Sequence, residues 1–186
     1  PISGMLKFTM PGTELARRRT ETPEQKTKRE DRDKAQFDRR IDDLRKAIRA
    51  AHIFDVKLIR VFTFSRVADP LGFLPQVAKV LDEMAGIAQK EGVKLLIENE
   101  GSCNVATSAE TARICELVPH KAIGINWDPV NEFGQKATPW PDGYKLLPRK
   151  RILNVQMKAR ALVVGPDFLD WGAIFRALDQ DGYKGK

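Results

Sequence analysis

Two cysteines, two histidines and two tyrosines are all that the 186 residues hold of those types. Thiols this sparse exclude a disulfide scaffold, and the interval between Cys103 and Cys115 matches no common zinc pattern, so both read as reduced side chains. No apolar run approaches the roughly 20 residues of a membrane span, and no secretory signal opens the sequence. The glycine-rich G-x-G-x-x-G turn of a dinucleotide-binding sheet is also missing. One domain over residues 1–186, placed in the cytoplasm, is the expectation.

What is present is ordinary globular composition: 42% hydrophobic and 31% charged residues, with a net charge of +7. Much of the positive charge lies in Arg17-Arg18-Arg19 and in the mixed run from Lys26 to Arg49. Acidic residues interleave with the basic ones there, which describes a solvated helix face better than a nucleic-acid groove. Neither nucleic acid nor a membrane is expected as a partner. A basic surface of this size also steers small anions toward a cleft.

Apolar periodicity divides the chain into alternating elements. A short strand is expected around Ile2, Met5, Leu6 and Phe8, closed by Pro11-Gly12. Thr22-Pro23-Glu24 starts one long helix running to Ile53, with Phe37, Ile41, Leu44, Ala47, Ile48 and Ala51 on its inner face. A strand at Val56–Phe64 ends in Ser65-Arg66. A helix over Pro75–Glu91 stops at Gly92, and the apolar run from Val93 ends in Glu98-Asn99-Glu100. Ser108 caps the next helix, which Pro119 ends. Strands at Ala122–Trp127 and Ile152–Lys158 follow, then a helix over Asp170–Asp181.

Strands starting near 57, 93, 122 and 152, each separated by a helix, are the mark of successive right-handed βαβ units. An open doubly wound sheet and a closed (β/α)8 TIM barrel both use that repeat. Polar side chains at strand ends, Arg66, Glu98, Asp128, Gln156 and Lys158, favour the barrel, whose sites lie at its carboxyl rim. A complete barrel takes about 250 residues. Five strands in this chain therefore imply a partial barrel, with about two βα units expected before Pro1 and one after Lys186.

Glu98 is the anomaly of its strand. A carboxylate at the mouth of an apolar run costs several kcal/mol unless it meets a cation or hydrogen-bond donors. A basic side chain such as Lys158 or Arg66 would serve, and so would a metal ion.

Leu95-Leu96-Ile97-Glu98-Asn99, Gly124-Ile125-Asn126-Trp127-Asp128-Pro129-Val130-Asn131, Val155-Gln156-Met157-Lys158 and Gly182-Tyr183-Lys184-Gly185 together resemble the xylose isomerase-like barrels. Their sugar phosphate isomerase/epimerase members are the closer likeness. The resemblance implies a divalent metal held by Glu98, Asp128 and, where the family carries histidine, Gln156. A fourth ligand would fall beyond Lys186. An amide in place of imidazole shifts the expected ion toward Mn2+ or Mg2+, with Zn2+ or Co2+ behind them.

Each residue also has a plainer reading. Asp128 could open an Asx turn before Pro129. Gln156 could fill space between strand ends, and Lys158 and Arg160 could neutralise the carboxylates rather than bind substrate oxygens. Arg66, Asn99 and Asn131 lie beside the expected site. Trp127 could wall a sugar ring or sit in the core. His52 and His120 fall away from the rim, and nothing near Cys103 activates a thiolate.

The function implied is a metal-dependent isomerase or epimerase of a sugar, sugar phosphate or related polyol, with Glu98 and Lys158 as catalytic groups. Proton transfer would pass through an enediolate, with Glu98 as one carboxylate base. The resemblance also allows a homodimer. A degenerate barrel that binds sugar without turnover is the alternative. An AP endonuclease-like nuclease is disfavoured, since a three-zinc cluster needs more imidazoles than this chain has.

Overall fold

The computed structural model describes residues 5–16, 20–158 and 169–185. Four strands, β1 (Leu58–Val61), β2 (Lys94–Glu98), β3 (Ile123–Trp127) and β4 (Ile152–Val155), form one parallel sheet in the order β1-β2-β3-β4. Consecutive strands are neighbours because each returns through a crossover, and the helices pack on one face. The result is an α/β layer, part of a barrel.

The segment expected to be a first strand behaves differently. Met5 makes an isolated parallel bridge to Val61, and the amides of Phe62, Phe64 and Ser65 donate to the carbonyls of Met5, Leu6 and Phe8. Leu6 takes a left-handed backbone, φ 62°, so the chain lies along the sheet edge without extending as a regular strand. Residues 1–4 lie outside the described ones.

The single helix expected from Thr22 is two. Helix α1 (Pro23–Asp38) opens on a Thr22–Gln25 capping box, and α2 (Arg40–Ile53) begins after Arg39, whose ψ of 4° interrupts the helical path. The two halves do different work. Asp33 is the one buried residue of α1, whereas α2 buries Leu44, Ala47, Ile48 and Ala51 against the sheet. Helix α3 (Pro70–Lys90) begins before the expected Pro75, because the Asp69 side chain accepts from Gly72 N at 3.0 Å and caps it. Helix α4 (Ser108–Leu117) is capped by Thr107, paired with Glu110, rather than by Ser108. Short α5 (Pro129–Glu132) and α6 (Tyr144–Leu146) span the long connection after β3, and α7 (Trp171–Gln180) closes the described chain.

Strand alternation sorts the side chains. Ile59, Val61, Leu95, Ile97 and Ile123 join Leu44, Val77, Leu81 and Met84 in one apolar cluster beneath the helices. Ile125, Trp127 and Ile152 join Tyr144, Trp171 and Ile174 in a second. The opposite face carries Leu58, Arg60, Leu96, Glu98, Gly124, Asn126, Asn154 and Gln156. Gly124 leaves room there for two leucines: a Cβ would stand 2.7 Å from a Leu153 methyl and 2.8 Å from one of Leu96, so both side chains would have to shift. Those two leucines plug the inner face below its polar row.

Candidate functional site

The polar row begins with two charged residues in apolar strands. Arg60 lies between buried Ile59 and Val61, and Glu98 follows buried Ile97. Their side chains rise from neighbouring strands and meet, with Arg60 Nη1 donating to Glu98 Oε2 at 2.7 Å. Asn126, paired with Glu98 across β2 and β3, donates from Nδ2 to the same oxygen at 2.8 Å. Both donors also reach Gln156 Oε1, Arg60 at 3.4 Å and Asn126 at 3.3 Å. Asn154 Nδ2 donates to Asn126 Oδ1 at 2.6 Å and fixes that amide's orientation. Asn131 Nδ2 reaches Glu98 Oε1 at 3.5 Å. The carboxylate is 2% exposed, and burial pushes its pKa above the ordinary range while Arg60 pulls it down.

Asp128 stands one residue beyond β3, fully buried. Its Oδ1 accepts from Val130 N and Asn131 N, both at 3.1 Å, which caps α5 and realises the Asx-turn reading. Its Oδ2 pairs with Lys158 Nζ at 2.5 Å. Burial again raises this carboxyl and Lys158 lowers it. Asn99 locks the neighbouring loop ends together, donating to Asp128 O at 2.7 Å and accepting from Asp128 N at 2.8 Å. Asn131 Nδ2 donates to Asn99 O, and Lys158 Nζ donates to Asn131 Oδ1, both at 2.8 Å. Glu98, Asn99, Asp128, Asn131, Gln156 and Lys158 thus form one connected cluster, and Asp128 is near enough for its charge to raise the Glu98 pKa.

Arg66 and Trp127 are not brought to it. Arg66 forks onto Glu110, 2.7 and 3.2 Å, and donates to the carbonyls of Cys103 and Asn104 at 3.1 and 3.3 Å, so it clasps the loop before α4. Trp127 points to the helix side because strand parity places it opposite Asn126, and it packs on Tyr144 with centroids 5.2 Å apart. Arg160 lies outside the described residues. His52 contacts Glu91 O and His120 accepts from Ala122 N, both away from the rim. Cys103 is buried and its thiol is pushed up to about 11, which agrees with an inert side chain.

The expected metal does not fit these residues. Among the described residues no group of three or more His, Cys, Asp and Glu side chains could hold an ion. Glu98 Oε2 and Gln156 Oε1 already accept from N–H donors, and Asp128 Oδ1 accepts from two backbone amides, while Asp128 Oδ2 is buried without a hydrogen-bond partner and has the Lys158 charge beside it. A divalent ion here would meet the positive charges of Arg60 and Lys158 as well as the two carboxylates, so the attraction of the acids is offset by repulsion of like size. In this structure Glu98 and Asp128, expected to share one cation with Gln156, each lie against a basic side chain of their own, Arg60 and Lys158.

Arg60, Asn126 and Asn154 escaped the sequence reading. Arg60 was detectable, being a charge inside Leu58-Ile59-Arg60-Val61, the same anomaly that marks Glu98.

No curated protein sequence matches the chain. Several solved structures share its fold. A D-tagatose 3-epimerase-like protein superposes with a TM-score of 0.67 at 18% identity, over 82% of this chain and 62% of that one. An IOLI protein with a bound zinc atom gives 0.65 at 17%, over 82% and 60%. A xylose isomerase-like TIM barrel protein from Mycobacterium smegmatis, in complex with magnesium, gives 0.64 at 15%, over 80% and 58%. The chain thus spans about 60% of the length of the structures it matches. A family model described as a xylose isomerase-like TIM barrel matches residues 27–186. Helix-backed parallel strands with a polar row at their carboxyl ends and a sequence match over most of the chain lead to one assignment: the chain belongs to the xylose isomerase-like TIM barrel family.

Proposed function

We propose that the inner rim binds a sugar, sugar phosphate or related polyol, and that the full-length protein moves a proton beside its carbonyl, as an isomerase or epimerase does. The observation that carries this reading is Glu98, a carboxylate buried at a strand tip that accepts from the amides of Asn126 and Asn131, with the Gln156 amide sharing the Asn126 donor. Side-chain amides both donate and accept, which suits vicinal hydroxyls. Glu98 is assigned as the proton carrier. Lys158, with a side chain 35% exposed, is assigned to meet the negative charge that develops on the enediolate oxygen. No step is assigned to a divalent ion, since the donor set does not fit one.

The test is hydron exchange from deuterated water into the carbon beside the carbonyl, followed by NMR over a panel of ketoses and their phosphates. Wild-type full-length protein is expected to exchange. Glu98→Gln is expected to lose 100-fold or more in exchange rate while still binding the sugar, the usual scale for removing a general base. A second reading, a barrel that binds sugar without turnover, is favoured by the separate pairing of both carboxylates with basic side chains. Saturable binding with no exchange in the wild type would select it, and absence of binding would end both.

A further inference from the structure

We propose that Arg60 is the resident cation of this rim, occupying the electrostatic place that a divalent ion would otherwise take, and that it makes the site metal-independent. The inference deepens the sugar-site reading and concerns the same residues. Arg60 Nη1 bridges Glu98 Oε2 on β2 and Gln156 Oε1 beyond β4, two of the three residues expected from this sequence to share an ion. A guanidinium does this with fixed N–H vectors and a charge that proteins do not titrate.

The side chain is held in that position from below. Its Cζ lies 5.1 Å from the Phe62 ring centroid, and Lys7 Nζ lies 4.7 Å from the same ring. Phe62 is 3% exposed, so this is a packed platform. Asn126 Nδ2 turns toward the same two oxygens as Arg60. The third donor is engaged independently, since Asp128 caps α5 and pairs with Lys158. Two carboxylates therefore face two basic side chains, and among the described residues of the cluster no net negative charge is left to attract a divalent ion.

Mn2+ uptake by the full-length protein, measured by electron paramagnetic resonance and calorimetry without sugar, tests this directly. Wild type is expected to show no stoichiometric uptake at submillimolar Mn2+, and Arg60→Met is expected to bind Mn2+ at least tenfold more tightly. Arg60→Gln serves as a second variant, and circular dichroism melts establish that each protein is folded. Stoichiometric Mn2+ on the wild type would overturn the proposal. So would equal affinity of wild type and folded variant, whether tight or undetectable. Because the readout contains no sugar, failure of the sugar-binding reading leaves this result unaffected, and the reverse also holds.

Discussion

On the helix side of the sheet, Ile59, Val61, Leu95 and Ile97 touch other apolar side chains and nothing else is asked of them. On the inner side, the sheet and the residue just beyond β4 carry Arg60, Glu98, Asn126, Asn154 and Gln156, each hydrogen-bonded to another. The difference lies in coupling. A trimmed leucine or isoleucine forfeits its own contacts and leaves a cavity, whereas a trimmed polar member leaves its partners buried and unsatisfied.

The contrast can be broken first at its apolar side. Ile97→Ala is expected to destabilise the full-length protein by about 2–5 kcal/mol, read from urea midpoints, with additive behaviour alongside distant core changes. The inner side should behave non-additively. Arg60→Met leaves Glu98 without its cation and is expected to cost ~1–3 kcal/mol, less than a fully buried pair because the arginine side chain is 22% exposed. Adding Glu98→Gln should restore part of that loss, with a coupling energy of about 0.5–3 kcal/mol in the double-mutant cycle. Strict additivity would mean the two side chains do not act together.

Arg66→Ala separates loop clasping from the rim. It should cost about 1–3 kcal/mol through the orphaned Glu110 and leave sugar binding within twofold of wild type in calorimetry. The smallest effect concerns pH. Glu132, 1% exposed, accepts from Ser108 N and Oγ, both at 2.6 Å, yet burial holds its carboxyl above the ordinary 4.5. The folded state then binds this proton more tightly than the unfolded chain does. Its contribution to stability is present below 4.5 and lost as pH rises through the folded value. Urea midpoints measured across that interval should fall less steeply in Glu132→Gln than in wild type.

Much of the fold was legible because it rests on local signals. Apolar runs, Gly92, Pro119 and Gly182 located the elements, and their repeat announced parallel strands with crossover helices. The break at Arg39 was not legible. A continuous helical pattern crosses it, and the interruption accompanies contacts made by its neighbours: Arg40 stacks on Phe37 at 4.4 Å and reaches Glu83 at 2.7 Å. Within the site, Glu98 and Asp128 were visible as acids at strand ends, and the structure places them in one cluster with Gln156 and Lys158. Of the two readings open for Trp127, the structure takes the core one, because its proximity to Asp128 in sequence says nothing about parity within the strand.

The order of elements, the faces of α2 and α3 and the polar character of the rim were determined by the sequence alone, because periodicity and turn chemistry act over a few residues. Which cation meets Glu98 was decided by tertiary structure. Arg60 lies 38 residues earlier, and only the parallel register of β1 on β2 brings the guanidinium to the carboxylate. That same register sets Glu98, expected from its strand-end position to be a metal ligand, against the guanidinium of Arg60.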